Sequence, residues 1–229
     1  MKSEKVFLLF GASGALGRTA VDFFLNQDYD QYYFFTREMF ELKSTKKKYD
    51  MILISDLTKE ENAAQAFQNV IRKEEANYFL FSTIGAYLGG ESIADTQYVD
   101  FLKMLNINLC SAFLISKYFS KIAQNSNGAS ICFTSAQSSL HPEENRAAYN
   151  ISKHALNFLV KTLSLEGKKI NLSANAVAPY IIDSAANREW IEDKTQLVTA
   201  SEICNMAHSL FQNYKTVTGN IVELPGSIG

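Results

Sequence analysis

The chain is nearly without charge bias. Its 22 lysines and arginines against 24 aspartates and glutamates leave a formal net charge of −2 over 229 residues, which supplies neither a basic face for nucleic acid nor an acidic solvating arm. Proline is scarce: Pro142, Pro179 and Pro225 all fall between periodic segments, so no proline-rich joint divides the chain. Cys110, Cys132 and Cys204 are odd in number, widely spaced and set among apolar residues. They exclude a disulfide framework and read as buried free thiols in a reducing, cytoplasmic compartment. Histidine is limited to His141, His154 and His208, dispersed and without metal-ligand spacing, so no metal is expected. Long apolar runs are missing too. Lys2 and Lys5 imitate the start of a signal peptide, but the run Val6 to Phe10 is only five residues long, and nothing approaches the roughly 18 consecutive apolar residues of a membrane span. Neither nucleic acid nor a membrane is expected as a partner.

What is present is ample core material, 47% hydrophobic and 12% aromatic, with no internal repeat and no low-complexity linker, so one domain over residues 1–229 is the simplest division. Strand-like apolar runs occur at Val6 to Phe10, Tyr32 to Thr36, Met51 to Ser55, Tyr78 to Ser82, Ile131 to Ser135, Leu172 to Val177 and Ile221 to Leu224. Helix-like segments lie near Leu16 to Asn26, Glu60 to Arg72, Tyr98 to Gln124, Ala148 to Leu165 and Ser201 to Phe211. Strands that are apolar on both faces and alternate with helices predict an α/β, doubly wound Rossmann fold, with a parallel sheet of about seven strands covered on both sides.

The first strand runs into Gly11-Ala12-Ser13-Gly14-Ala15-Leu16-Gly17. A strand that turns through glycines into a helix offers backbone N–H groups and the positive end of a helix dipole to a dinucleotide pyrophosphate. At the end of the second strand, where an acid would bind the ribose hydroxyls of NAD, the chain has Thr36 and Arg37. A guanidinium there suits the extra phosphate of NADP(H). In the competing reading Arg37 is solvated and Glu38 takes the hydroxyls of NAD(H). Asp56 follows the third strand, where its carboxylate can accept from an adenine amino group or cap the helix beginning near Lys59. Gly85, after the fourth strand, lets the chain pass close to a ribose or nicotinamide, and the loop Ala86 to Thr96 shapes the substrate mouth. Asn106 and Asn108 interrupt an apolar helix in which asparagine is unfavourable. One of them faces solvent, and the other holds a kink open and binds water.

The chemistry converges on Tyr149-Asn150-Ile151-Ser152-Lys153. Four residues apart on a helix, the phenol and the ammonium share one face, so the positive charge favours the phenolate and makes Tyr149 a proton donor and acceptor. The strand ending at Ser135 brings its hydroxyls to the same edge of the sheet.

The glycine turn, Asp56-Leu57, Asn108-Leu109, the Ile131 to Ser135 strand, Tyr149 with Lys153, and Asn175-Ala176-Val177-Ala178-Pro179 stand in the order and spacing of the short-chain dehydrogenase/reductase family. The chain resembles that family along nearly its whole length. The resemblance implies hydride transfer between a nicotinamide, read here as that of NADP(H), and a small ketone, aldehyde or quinone-like substrate. It makes Tyr149 the proton donor and Lys153 the group that tunes it and holds the nicotinamide ribose. Asn108 would anchor a water leading to solvent, and Ser135 would orient the carbonyl. Coenzyme contacts would fall on Gly11, Ser13, Gly14, Ala15, Leu16, Gly17, Arg37, Asp56, Leu57, Gly85, Tyr149, Lys153, Pro179 and Ile182. The chain departs from the family pattern at Ser82-Thr83-Ile84-Gly85, at Tyr180, and at Ala136, which occupies the ungapped serine position and leaves Ser138 as a second candidate. These substitutions, and the stretch Asp183 to Trp190, resemble the dihydropteridine-reductase-like branch, which has an acid where Arg37 stands. Trp190 reads as a lid or an interface anchor.

Both long helices carry apolar residues on a second face, among them Phe113 and Phe158. A homodimer or homotetramer through these helices is expected, as in the family that the chain resembles.

Overall fold

The computed structural model describes residues 3–42, 46–189 and 191–226. Strands β1 (Lys5–Phe10), β2 (Gln31–Thr36), β3 (Tyr49–Leu53), β4 (Asn77–Ser82), β5 (Gly128–Thr134), β6 (Leu172–Pro179) and β9 (Ile221–Leu224) form one sheet in the order β3-β2-β1-β4-β5-β6-β9. Every neighbouring pair in it is parallel. The apolar runs become central strands because side chains on both faces meet helices. Along β1, Phe7 and Leu9 join one buried cluster, whereas Val6, Leu8 and Phe10 join the other, the period of two that a doubly covered strand requires.

Helices α1 (Ala15–Leu25) and α7 (Ala200–Gln212) cover the first face, where Phe7 stacks on Phe24 with ring centroids 4.1 Å apart. Helices α2 (Glu60–Gln68), α4 (Ser111–Ala123) and α5 (Ala147–Gly167) cover the second, where Phe10, Phe35 and Phe67 stack together. Strand order reverses between β2-β1 and β4, so the crevice at the carboxyl ends of these strands is the natural ligand site of the fold.

The boundaries differ from the sequence reading in instructive places. Strand β3 lies two residues earlier than expected because it is a half-exposed edge strand whose register is set by pairing Tyr49 with Tyr32. The expected single helix from Tyr98 is α3 (Tyr98–Leu105), a π-helical turn at Asn106–Cys110, and then α4. By length and composition, Tyr98–Ala123 would suffice to cross a membrane, although it holds no long run of consecutive apolar residues. Ala112, Ile115, Phe119 and Ile122 of this helix are buried in the core. A two-stranded sheet, β7 (Ile181–Ile182) with β8 (Leu197–Val198), and the one-turn helix α6 (Ala185–Arg188) are additional. Pairs of residues carry no readable period. The three cysteines are free, and Cys132 and Cys204 are buried.

Candidate active site

The glycine turn opens where β1 ends. Gly11 has φ +88°, and a Cβ there would lie 2.6 Å from Thr83 Oγ1, so both backbone conformation and space demand glycine. The Gly11 and Ala12 N–H groups donate to Phe35 O, each at 3.0 Å, and Gly14 N–H donates to Gly11 O at 3.0 Å. Helix α1 follows with Gly14 as N-cap and no side-chain cap, which leaves the partial positive charge of its first turn to a ligand. A cavity of about 720 Å³ extends from this turn across the ends of β2, β3 and β4. Of the expected coenzyme residues it brings together Gly11, Ser13, Gly14, Arg37, Asp56, Leu57 and Gly85. Ala15 is exposed, whereas Leu16 is buried and Gly17 packs against the turn.

At one end of the cleft Arg37 is exposed and, among the described residues, has no hydrogen-bond or ion-pair partner. Its neighbour Glu38 is engaged by Arg18 at 3.3 Å, and the Arg18 guanidinium lies 3.5 Å from the centroid of the Phe40 ring. Thr36 is buried, with Oγ1 donating to Glu38 O. Asp56 Oδ1 accepts from Thr58 N–H at 2.9 Å and Thr58 Oγ1 at 2.7 Å. These bonds hold its carboxyl below the usual range and order the turn before α2, whose N-cap is Lys59.

At the other end Gly85 approaches a buried polar group closely. A Cβ on it would lie 2.9 Å from Lys153 Nζ and 3.2 Å from Asn108 Oδ1. Asn108 sits in the π turn, buried, and its amide grips one residue on both sides: Oδ1 accepts from Ala86 N–H and Nδ2 donates to Ala86 O, each at 2.9 Å. Nδ2 also donates to Ser152 Oγ at 2.9 Å. The insertion that opens the helix is thus tied to a side chain pinning the loop after β4, as π turns at functional sites commonly are. Asn106 faces solvent.

Lys153 is buried, donates to Thr134 O at 2.8 Å, and is pulled by burial down to about 8. Its Nζ lies 6.0 Å from the centroid of the Tyr149 ring. In the free chain the Tyr149 phenol shifts opposite to expectation: burial, then Tyr87, push it above the usual tyrosine range, opposed by Arg146. The ammonium is directed at the end of β5, so desolvation prevails. Tyr149 is therefore a protonated acid, the form that gives a proton to a carbonyl oxygen.

Ser135 is buried, and its Oγ donates to Asn157 Oδ1 at 2.6 Å. Asn157 Nδ2 donates to Ser139 Oγ at 2.6 Å, and Ser139 Oγ donates to Ala136 O. This closed set anchors the 137–139 turn to α5. Ser138, in that turn, makes no hydrogen bond through its hydroxyl to another described residue. Pro179 ends β6 and Ile182 lies in β7, and neither these two nor Tyr149 and Lys153 line the cleft wall. Trp190 lies outside the described residues. Sequence reasoning missed Asn157 and Ser139, whose neighbours give no signal of the contact. It also missed Tyr87, which only its place in a loop assigned to the substrate mouth could have marked.

A dinucleotide fits this site by the chemistry of its walls: a cradle that a Cβ would fill, an uncapped helix start and a cation at one end, with a buried amine behind Gly85 at the other. The family model described as Enoyl-(Acyl carrier protein) reductase matches residues 35–222. Dihydropteridine reductase of Dictyostelium discoideum is 26% identical over 196 residues, 83% of this chain and 79% of that protein. A tropinone reductase homolog of Arabidopsis thaliana is 28% identical over 115 residues, and the match spans 50% of this chain and 44% of that protein. Among solved structures, ElxO with NADP bound superposes with a TM-score of 0.81 at 20% identity, covering 97% of each chain. A 4-hydroxyisoleucine dehydrogenase complexed with NADH gives 0.78 at 21% identity, covering 98% of each. These structural likenesses concern the fold. The family model spans well over half of the chain, and on that ground the protein belongs to the short-chain dehydrogenase/reductase family of oxidoreductases.

Proposed function

We propose that the protein is an NADP(H)-dependent reductase of a small carbonyl compound. The observation that carries this reading is the convergence of Asn108 and Lys153 behind Gly85, which lines one end of the cleft, with Tyr149 one helical turn away on α5. The coenzyme, when bound, supplies the hydride. Tyr149 gives its proton to the carbonyl oxygen, and Lys153, buried and, among the described residues, without a carboxylate partner, holds the ribose and restores that proton. Asn108 fixes Ala86 and so the wall of the mouth. Ser138 orients the carbonyl, because the Ser135 hydroxyl is engaged by Asn157. That engagement, with Ala136 at the ungapped serine position, is what favours the second reading, a nucleotide-binding sensor without turnover. Oxidation of NADPH by any of a panel of ketones, aldehydes, quinones and pterins supports the reductase. Tight NADPH binding with no oxidation across the panel supports the sensor.

Arg37 carries the coenzyme preference in this reading, since Glu38 is already held by Arg18. Arg37→Ala is expected to weaken NADPH by about tenfold to a hundredfold, the worth of a charge-assisted contact, and NADH by less than about threefold. Titration followed by coenzyme fluorescence measures both, and equal losses would remove the preference.

The face carrying Phe113 on α4 and Phe158 on α5, 53% and 69% exposed, suits self-association of two copies through these helices. Light scattering at micromolar concentration should give a dimer or a tetramer. A monodisperse monomer would overturn this assembly.

A further inference from the structure

Between the end of the coenzyme cleft and the catalytic phenol stands an aromatic ring with no part in the chemistry so far. Gly85 and Ala86 are the cleft's wall after β4, and the next residue is Tyr87. Its ring lies 5.0 Å from that of Tyr149, centroid to centroid, with 73° between the planes. It is nonetheless 56% exposed. The loop that carries the ring is held in place: Asn108 engages both backbone groups of Ala86, and Gly90 N–H donates to Asn145 O at 2.7 Å, closing the loop onto the start of α5. A Cβ on Gly89 would lie 2.5 Å from Tyr87 Oη, so glycine there lets the hydroxyl fold back on its own loop. The Arg146 guanidinium lies over the ring, 5.7 Å from its centroid, so a stacked ligand takes the opposite face.

Two rings nearly at right angles make a corner. A flat molecule stacked on Tyr87 lies at about the same 73° to the Tyr149 ring, 5.0 Å from Tyr87, and in a conjugated carbonyl compound the C=O bond lies in that stacked plane. A bulky aliphatic ketone gains nothing from such a corner. Stacking on an aromatic surface that is already fixed costs little ordering. Building on the reductase reading, we infer that Tyr87 is the substrate platform of this site and that the substrate class is planar conjugated carbonyl compounds. The reaction balances as one hydride to the carbonyl carbon and one proton from Tyr149 to its oxygen, giving the alcohol; the Tyr149 proton is replaced from solvent.

Isatin is a suitable planar probe and cyclohexanone a non-planar one, each titrated calorimetrically into the protein saturated with NADP+, where no reduction can occur. Tyr87→Leu, which keeps apolar bulk but loses the flat face, is expected to weaken isatin by about tenfold and cyclohexanone by less than about twofold. Tyr87→Phe should stay within about twofold of the unsubstituted protein for both, and NADP+ affinity should be unchanged throughout. Equal effects on the two probes, no effect on isatin, or no isatin binding to the unsubstituted protein would each overturn the platform. Separate NADPH-oxidation assays distinguish the two readings. Ring-dependent isatin binding with no NADPH oxidation by isatin or by any of the panel keeps the platform and removes the reductase, whereas turnover of both probes without dependence on Tyr87 does the reverse.

Discussion

Tyr149→Phe lowers carbonyl reduction by at least about a hundredfold, the usual share of a positioned acid–base group, while NADPH affinity stays within about twofold. The substitution removes one oxygen from a ring that α5 and Tyr87 continue to hold, so packing is preserved and only the proton is lost. The free protein prepares for donation by keeping the phenol neutral: burial raises it above its usual range, and Lys153, at about 8, directs its ammonium to Thr134 O. The same assay applied to serines separates the roles of two hydroxyls that lie three residues apart. Ser138→Ala should reduce turnover at constant thermal stability. Ser135→Ala should lower stability instead, by about 1–3 kcal/mol, because it deprives the buried Asn157 carbonyl of its donor. Steady-state kinetics paired with thermal unfolding read both. A Tyr149→Phe variant with near-normal turnover would refute the proton-donor role.

How much of this was legible beforehand depends on whether a signal was local. The parallel sheet and its order of elements follow from apolar runs buried on both faces, and the tight turn into α1 from Gly11 and Gly17, which leave no room for a Cβ. Asn108 was also legible as an anomaly, a poor helix former inside an apolar helix, and its burial in a π turn is the reason for it. Asn157 was not: its partners Ser135 and Ser139 lie 22 and 18 residues away, and a mid-helix asparagine gives no indication of which loop it will meet. The direction of the Tyr149 shift was misread for a related reason. Spacing on a helix tells which side chains share a face, but not that the lysine amine would find a backbone carbonyl on a neighbouring strand and leave desolvation to decide. Tyr87 depended on the path of a loop, which periodicity does not describe.

Gly17→Ala should damage the cradle itself, and Gly14→Ala should not, although the two glycines lie in one short motif. A Cβ at Gly17 would stand 2.0 Å from Gly11 O and 2.9 Å from Gly11 C, both backbone atoms that no rotamer change can move. The Gly11 carbonyl is further fixed by Gly14 N–H at 3.0 Å and Thr83 Oγ1 at 3.2 Å. Relief therefore requires α1 to lift, yet Leu16, Ala20, Val21 and Phe24 bury its inner face. Overpacking of this kind costs about 1–3 kcal/mol or more, and at ~2–4 °C per kcal/mol for a chain of this size the unfolding midpoint should fall by several degrees. Because the displaced turn is also the pyrophosphate seat of the proposed reading, coenzyme affinity should drop by at least about tenfold. At Gly14 a Cβ would meet only Gly11 O, at an ordinary 3.4 Å, on an exposed residue with φ −69°. Its methyl group would crowd the ligand and not the protein, so affinity falls while the midpoint without coenzyme holds. Thermal unfolding of both variants with and without NADPH makes the comparison. A Gly17→Ala protein that melts and responds to NADPH like the unsubstituted chain would show that α1 does not rest on the Gly11 carbonyl, and would remove the geometric basis for placing the pyrophosphate there.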